Sequence, residues 1–289
     1  MDIQPHKRVS VAVVHLVWLP FGIEMFQQFL SSYKASRAGY EHSLVLLFNG
    51  AKVKTETSEY EQLAANEGLD YHAYYKETGQ DIDAYFWVAQ QLKEDYVIFF
   101  NSYARILSHD WLKKFMDTAF SSATVGIVGA TGAYTSPYDK LLAEHTWKWE
   151  AGNSFKYHFR KYKLLLKTVL VYRFYFAGFP NPHIRSNAFL IKTKVLLTLK
   201  KPALTKKMDS YRFECGRKSM TNQIKKIKLE PILVGKDGVS YSIDKWANSQ
   251  TFWISNQENL LVSDNQTAIY QNANELYRQH LSRLAWGTP

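Results

Sequence analysis

Two acidic residues, Asp209 and Glu214, stand where a carboxylate could act as a general base. They are the first acids after a long stretch, residues 151–208, that contains none. Glu214 lies between Phe213 and Cys215, and an apolar setting of this kind raises the pKa of a carboxyl group. A carboxylate with a raised pKa can take a proton from a hydroxyl group near neutral pH. The sequence predicts Glu214 as the base, with Asp209 or neither of the two as the alternatives.

The acid-free stretch also concentrates the positive charge of the chain. It contains thirteen lysine and arginine residues. The net charge of the whole chain is +10, so the residues outside this stretch together carry −3. Such a region attracts an anionic partner. From Lys156 to Arg173, aromatic and leucine side chains are interleaved with cations, which is typical of a helix lying on anionic lipid. We expect a membrane surface here and no nucleic acid, with a solvated lysine-rich face as the alternative.

The composition indicates a folded protein without disulfides. Of the 289 residues, 46% are hydrophobic, which is enough to bury a core. The single cysteine, Cys215, excludes an internal disulfide and a multi-cysteine zinc site, and it fits a reducing compartment. The first apolar run has no cleavage pattern, and Lys167 and Arg173 interrupt the most apolar later stretch. We therefore expect a cytoplasmic protein with no signal peptide and no membrane-spanning segment.

Hydrophobic patterns predict strands and helices in alternation. Strands are expected at residues 8–18, 43–48, 69–75, 96–100, 124–131 and 188–192, with a hairpin at 231–242. Helices are expected at 23–33, 59–67, 82–92, 111–119, 213–227 and 274–284. This order predicts an α/β fold, in which a mostly parallel sheet has helices on both faces.

A ligand of such a sheet binds beyond the carboxyl ends of the strands. At that edge the sequence places Pro20 after the first strand and Asn49 after the second. Residues 77–83 follow the short strand, and residues 101–105 follow the strand that ends at residue 100. We expect these segments to form the walls of a pocket.

Four short motifs follow or flank the predicted strands. They are FNG at 48–50, TGQDIDAY at 78–85, FFNSYARIL at 99–107 and DWL at 110–112. Together they resemble GT-A glycosyltransferases of the family-2-like group, through about residues 8–135 and again around 180–220. The resemblance implies a GT-A, Rossmann-like sheet with a basic insertion and an irregular C-terminal extension. We expect one catalytic domain over residues 1–289, with its core at about 8–240 and the extension at about 241–289.

The chain departs from the family at one place, the metal-binding motif. The family usually places an Asp-x-Asp metal motif after the fourth strand, where this chain has Asn101, Ser102 and Tyr103. These side chains carry no charge and are poor ligands for Mg²⁺ or Mn²⁺. We predict no metal site made by the protein, so that any such ion would be held mainly by the donor phosphates. Arg185 is expected to contact the diphosphate or the acceptor, with a place in the basic surface as the alternative.

The resemblance also implies roles for the other candidates. The residues expected to hold the nucleotide donor are Pro20, Asn49, Asp81, Asn101, Ser102 and Tyr103. The residues expected to contact the acceptor or form a lid are His183, Trp246, Trp253, Gln257 and Asp264, because aromatic rings beside amides are a common sugar-binding composition. The alternatives are a turn residue for Asn49, a helix cap for Asp81 and a packing tail for the last group.

The predicted function is transfer of a sugar from a nucleoside-diphosphate donor to a hydroxyl of a glycan or lipid-linked glycan. Inversion is expected, with Glu214 or Asp209 as the base. The resemblance places this reaction in surface polysaccharide synthesis at the cytoplasmic face of a membrane. The alternatives are a non-catalytic GT-A-like protein that binds an anionic glycan, a membrane or nucleic acid, and a nucleotidyltransferase. Glycine-rich dinucleotide and P-loop motifs and the serine hydrolase elbow are absent from the sequence.

Overall fold

The computed structural model describes residues 9–51, 54–139, 141, 166, 169–204 and 206–287. Most of the segment from Lys156 to Arg173 therefore lies outside the described residues, apart from residues 166 and 169–173. Among the helices of the described part, none combines the length and the hydrophobicity that crossing a bilayer requires.

Twelve strands are described. They are β1 (Val11–Trp18), β2 (Ser43–Asn49), β3 (His72–Lys76), β4 (Tyr96–Phe100), β5 (Arg105–Ile106), β6 (Val125–Gly129), β7 (Gly132–Ala133), β8 (His183–Ile184), β9 (Ala188–Lys192), β10 (Glu230–Val234), β11 (Ser240–Tyr241) and β12 (Val262–Ser263). Eight of them form a sheet in the order β11-β10-β6-β9-β4-β1-β2-β3. Only β9 and β11 run against their neighbours in this sheet. The other four form two small antiparallel pairs, β12 with β5 and β7 with β8.

Nine α-helices with defined ends accompany the strands in the described residues. They are α1 (Ile23–Ala35), α2 (Ser58–Asn66), α3 (Asp81–Ala89), α4 (Trp111–Phe120), α5 (Thr193–Thr198), α6 (Lys207–Cys215), α7 (Met220–Lys226), α8 (Asn265–Asn272) and α9 (Glu275–Trp286). The mostly parallel sheet with helices on both sides confirms the predicted α/β fold class.

The sheet is buried on both faces because its side chains alternate between two cores. In β1, Val11, Val13 and Val17 pack with α1, α2 and α4, whereas Ala12 and Val14 pack with α3, α5, α6 and α7. Strands β2 and β4 alternate in the same way. Continuous apolar runs are typical of strands buried on both sides, and they explain why these strands could be located from the sequence.

The predicted helix over residues 213–227 is wrong, because two helices occupy this part of the chain. Helix α6 begins at Lys207 and ends at Cys215, and α7 begins at Met220. A Cβ atom at Gly216 would lie 2.4 Å from the carbonyl oxygen of Arg212, so only glycine fits the exit from α6. The hydroxyl of Ser219 then caps α7 by accepting a hydrogen bond from the Asn222 N–H.

The residues after 240 pack back onto the rest of the chain. Strand β12 pairs with β5, and Trp246 is fully buried in the core that contains α3 and α6. Phe252, Trp253 and Tyr270 form a third apolar cluster with α9 and Ala133 of β7. The described part of the extension therefore shares its apolar contacts with the rest of the chain. The proposed boundary at about residue 240 stays a prediction.

His15 in the middle of β1 makes the fold sensitive to acid. Its side chain is buried with its ring stacked on Phe29, and neither ring nitrogen has a hydrogen-bond partner in the described part of the chain. Burial lowers the pKa of His15 from 6.5 to about 3. The folded state therefore keeps His15 neutral, while the unfolded chain binds a proton as the pH falls below 6.5. Stability is lost from that pH downwards.

We expect His15→Leu to reduce this acid sensitivity. Between pH 8 and pH 5, the wild-type protein should lose about 2 kcal/mol more of its free energy of unfolding than the variant does. Urea unfolding of both proteins at the two pH values measures the difference. Equal losses would contradict the assignment, because the contributions of all other groups cancel in this comparison.

Candidate functional site

A cavity of about 390 Å³ opens at the carboxyl ends of β1 and β4. Five segments form its wall: the end of β1 and the turn after it, the start of α3, the loop after β4, one side of α6 and the start of α8. The lining residues are Leu16, Trp18, Phe21, Gln80, Asp81, Asn101, Ser102, Tyr103, Lys207, Ser210, Tyr211, Glu214, Asn265 and Gln266. The volume lies within the range of about 300–1,000 Å³ that is usual for small-ligand sites.

Five predicted site residues meet in this cavity. Asp81, Asn101, Ser102, Tyr103 and Glu214 all contribute to its lining, although they come from three separate parts of the chain. Most of them were predicted from one rule, that ligands bind at the edge of the sheet where the parallel strands end. Their roles toward a ligand stay predictions.

Two carboxyl groups, those of Asp81 and Glu214, face the cavity. Burial raises the pKa of Asp81, and the charge of Glu214 raises it further. Beneath them the hydroxyl of Tyr85 is buried, and it has no hydrogen-bond partner among the described residues. Burial, with the Asp81 and Glu214 charges, also raises the pKa of Tyr85. A buried carboxyl group at the wall of a cavity is suited to recognition of a polar ligand.

The loop after β4 is held by its own polar side chains. The Ser102 hydroxyl donates a hydrogen bond to the Leu16 carbonyl at 2.8 Å and accepts one from the Trp18 N–H at 3.2 Å. Asn101 Oδ1 accepts a hydrogen bond from the Tyr103 N–H at 3.1 Å. These contacts fix the loop against the end of β1, and they use the oxygens that would otherwise be free for a ligand.

This donor set does not fit Mg²⁺ or Mn²⁺. The loop supplies only neutral side-chain oxygens, and those of Asn101 and Ser102 already have hydrogen-bond partners, whereas these ions favour charged oxygen ligands. Within the described ranges, no group of three or more histidine, cysteine, aspartate or glutamate side chains could hold a metal ion. That the protein itself makes no metal site stays a prediction.

Helix α6 turns one side toward the cavity. Lys207, Ser210, Tyr211 and Glu214 follow one another at intervals of three, one and three residues and all contribute to the lining. This spacing places side chains on one face of an α-helix. Of these four residues only Glu214 was predicted as part of a site, although the same spacing is present in KMDSYRFE at residues 207–214. Asn265 and Gln266 of α8 were also missed.

The two candidate bases have different surroundings. One oxygen of Glu214, Oε1, accepts hydrogen bonds from the backbone N–H of Ser186 at 2.7 Å and from its hydroxyl at 3.0 Å. Asp209 instead caps the start of α6 and pairs with Arg212 at 3.2 Å, and it is not part of the cavity lining. The geometry favours Glu214 over Asp209 as a group that can reach a ligand.

Arg185 lies outside the cavity lining and binds another part of the chain. Its guanidinium group contacts Asp264 Oδ2 at 2.7 Å and Thr131 Oγ1 at 3.2 Å, and it packs over the Phe252 ring. Asp264 in turn caps α8 by accepting a hydrogen bond from the Thr267 N–H at 2.9 Å. The pair therefore fixes the start of α8, whose next residues line the cavity.

Pro20, Asn49 and His183 are also absent from the lining. Pro20 lies in the exposed turn between Trp18 and Phe21, which do contribute. Asn49 is buried, with Nδ2 donating to the Gly79 carbonyl at 3.1 Å. His183 is buried, and burial lowers its pKa to about 4. In this arrangement, contact between a ligand and the buried side chains of Asn49 and His183 would require the chain to move.

The aromatic and amide residues of the extension are occupied by packing. The Trp246 indole N–H donates to the Tyr241 carbonyl and that of Trp253 to the Gln266 carbonyl, each at 3.0 Å. Gln257 is buried and bridges the Trp253 N–H and the Thr267 carbonyl. This agrees with the packing-tail alternative for Trp246, Trp253 and Gln257.

The chain matches known proteins by its three-dimensional structure and not by its sequence. No protein-family model matches the sequence, and no curated protein matches it. A mannosyltransferase from Pyrobaculum calidifontis in complex with GDP-Man and Mn²⁺ is 12% identical, with a TM-score of 0.48. The match covers 85% of this chain and 61% of that one, so this chain spans less than two thirds of its length.

Two further structures illustrate the range of activities among the matches. Glucosyl-3-phosphoglycerate synthase from Mycobacterium tuberculosis, in complex with Mn²⁺, UDP and phosphoglyceric acid, is 11% identical over 64% of this chain and 56% of that chain, with a TM-score of 0.36. A cytidylyltransferase from Leptospira borgpetersenii is 12% identical over 67% and 64%, with a TM-score of 0.37. Sequence identities and TM-scores this low carry no argument about activity. The activity of the chain has to be argued from its own cavity.

Proposed function

We propose that the protein is a glycosyltransferase that moves a sugar from a nucleoside-diphosphate donor to a hydroxyl group of a glycan or lipid-linked glycan. The observation that carries the proposal is the cavity at the ends of β1 and β4, into which Asp81, the loop 101–103 and Glu214 converge. In an α/β sheet this edge is where ligands bind. A carboxylate at the same cavity supplies the base that transfer to a hydroxyl requires.

Glu214 is the proposed base. The two hydrogen bonds from Ser186 hold Oε1, and no donor of the described residues occupies Oε2. Oε2 can therefore accept the proton of an acceptor hydroxyl as that oxygen attacks the sugar. A direct attack of this kind inverts the configuration at the anomeric carbon. Ser186 is a positioning residue, because it acts through Glu214.

The nucleotide is proposed to lie along the ends of β1 and β4. Phe21 and Tyr103 both line the cavity, with their ring centroids 4.7 Å apart, and Phe21 is 44% exposed. An open pair of aromatic rings is a platform on which a base can stack. Asp81 stands on the next segment of the wall, where its Oδ1 accepts a hydrogen bond from the Ile82 N–H and its Oδ2 is the oxygen proposed to bind a base or ribose.

We propose that the protein is located peripherally on the cytoplasmic face of a membrane. Residues 169–175 are helical, and Leu170 and Phe174 are 63% and 73% exposed beside the exposed Arg173. An apolar face next to cations is suited to anionic lipid. The Arg212 guanidinium lies over the Tyr175 ring at 3.8 Å. This contact joins the exposed helix to α6 and so to the wall of the cavity, where a lipid-linked acceptor would be used.

A panel of nucleotide sugars tests the proposal. Incubation with UDP-, GDP-, dTDP- and CMP-sugars should show slow hydrolysis of one donor class, and the matching nucleotide should raise the melting temperature. We expect both effects to persist in EDTA, because the loop 101–103 offers no charged metal ligand. Cosedimentation with anionic vesicles, but not with neutral ones, is expected in parallel. Stabilisation by polyanions and by no nucleotide would support the non-catalytic binding protein instead.

A further inference from the structure

Lys207 is the only cation that lines the cavity in the described part of the chain. Its side chain is exposed, and no carboxylate of the described residues lies within ion-pair distance of its ammonium group. A cation that faces a cavity without a protein partner is available to an anionic ligand.

Three other cations near this end of the sheet already have partners. Lys76 and Lys201 both pair with Asp83, at 3.0 and 2.6 Å. Arg185 pairs with Asp264. A diphosphate bound in the cavity would therefore meet Lys207 without breaking an existing ion pair.

Lys207 and Glu214 stand at opposite ends of the cavity-facing side of α6. They are seven residues apart, which is two turns of an α-helix and about 10 Å along its axis. Ser210 and Tyr211 lie between them on the same side. One helix therefore presents a cation and a carboxylate to the same cavity, from backbone positions two turns apart.

This separation suits a direct displacement at a sugar carbon. In such a reaction the base and the group that stabilises the leaving diphosphate stand on opposite sides of the anomeric carbon. With a hydrogen bond of about 2.8 Å at each end and an attack distance of about 3 Å, these two groups are roughly 10 Å apart. The rise of α6 between Lys207 and Glu214 is of the same size, and the flexible lysine stem can adjust the position of its ammonium group.

We propose that Lys207 binds the donor diphosphate and neutralises the leaving group, the task that a metal ion performs where a carboxylate motif is present. The inference rests on the proposed function. As the acceptor oxygen forms its bond to the anomeric carbon, the bond from that carbon to the diphosphate oxygen breaks. The electron pair stays on the diphosphate oxygen, beside the Lys207 ammonium group, and the acceptor proton passes to Glu214. Nothing outside the donor and the acceptor is consumed.

Binding measurements on Lys207→Ala test this role separately from turnover. Isothermal titration in EDTA compares a nucleoside diphosphate with the matching nucleoside, for the base that stabilises the wild-type protein in the panel. We expect Lys207→Ala to weaken diphosphate binding about ten- to hundredfold, as expected for loss of a charge-assisted hydrogen bond, and to leave nucleoside binding unchanged. Lys207→Arg should recover most of the loss. Lys226→Ala, which removes an exposed lysine of α7, is the matched control.

The possible outcomes separate the two proposals. If the wild-type protein binds a nucleoside diphosphate and Lys207→Ala binds it equally well, the role of Lys207 is wrong while the proposed function stands. If the wild-type protein binds no nucleotide, both proposals fail. An equal loss in Lys226→Ala would assign the effect to the overall positive charge, and it would also overturn the role of Lys207.

Discussion

Glu214→Gln is expected to lower the rate of sugar transfer by about 10²- to 10⁴-fold, the usual contribution of a general base. Glutamine has nearly the same shape, and its amide oxygen can still accept both hydrogen bonds from Ser186. It cannot take up the proton of the acceptor hydroxyl. Nucleotide affinity should therefore be retained while turnover is lost, and steady-state kinetics together with nucleotide titration measure the two separately.

The comparison with other acids makes this prediction specific. Glu230→Gln changes an exposed glutamate at the start of β10 and serves as the matched control for loss of one negative charge. Asp209→Asn tests the alternative base, and the asparagine oxygen can still accept the hydrogen bond from the Lys206 N–H. If Asp209→Asn were inactive and Glu214→Gln active, the base would be Asp209. If both kept full activity, neither carboxylate would be the base.

The parts of the site that could be predicted from the sequence follow local rules. Strands β1 and β4 are continuous apolar runs, so their ends were visible, and the residues after β4 could be assigned to the binding edge. Asp81 was found in the same way, at the start of the helix that follows β3. Each of these assignments depends on neighbours within a few residues.

The rest of the site could not be predicted because its pattern is polar or long-range. Helix α6 buries only Phe213 and Cys215, so the residues before them carry no apolar period to mark where the helix begins. From the sequence, Lys207 was therefore only one of the positive charges in the basic stretch. Sequence spacing also gives no sign of the contact between Arg185 and Asp264, which are 79 residues apart. Because its guanidinium group binds Asp264, Arg185 does not line the cavity.

Arg185→Ala is expected to be the most destabilising change near the site. Its partner Asp264 has a side chain that is only 1% exposed, so the substitution leaves a buried carboxylate without its cation. Removing one member of a buried ion pair typically costs about 3–5 kcal/mol of the free energy of unfolding. Chemical denaturation of the variant and the wild-type protein measures this loss. A change of less than 1 kcal/mol would contradict the role given to the pair.

Arg185→Ala/Asp264→Asn separates the ion pair from the cap of α8. Asparagine can still accept the hydrogen bond from the Thr267 N–H, so α8 keeps its cap while the unpaired charge disappears. The double variant should therefore be more stable than Arg185→Ala alone. A double variant no more stable than Arg185→Ala would mean that the loss comes from other contacts of the guanidinium group, such as its packing on Phe252.

The same double variant decides between two roles for Arg185. If Arg185 acts by fixing the start of α8, nucleotide affinity should fall in Arg185→Ala and return with stability in the double variant, because Asn265 and Gln266 would again line the cavity. If Arg185 instead binds the donor diphosphate, as the family resemblance implied, affinity should stay low when stability returns. Titration of a nucleoside diphosphate into both variants distinguishes the two. We expect affinity to return, because in the folded chain the guanidinium group already has Asp264 as its partner.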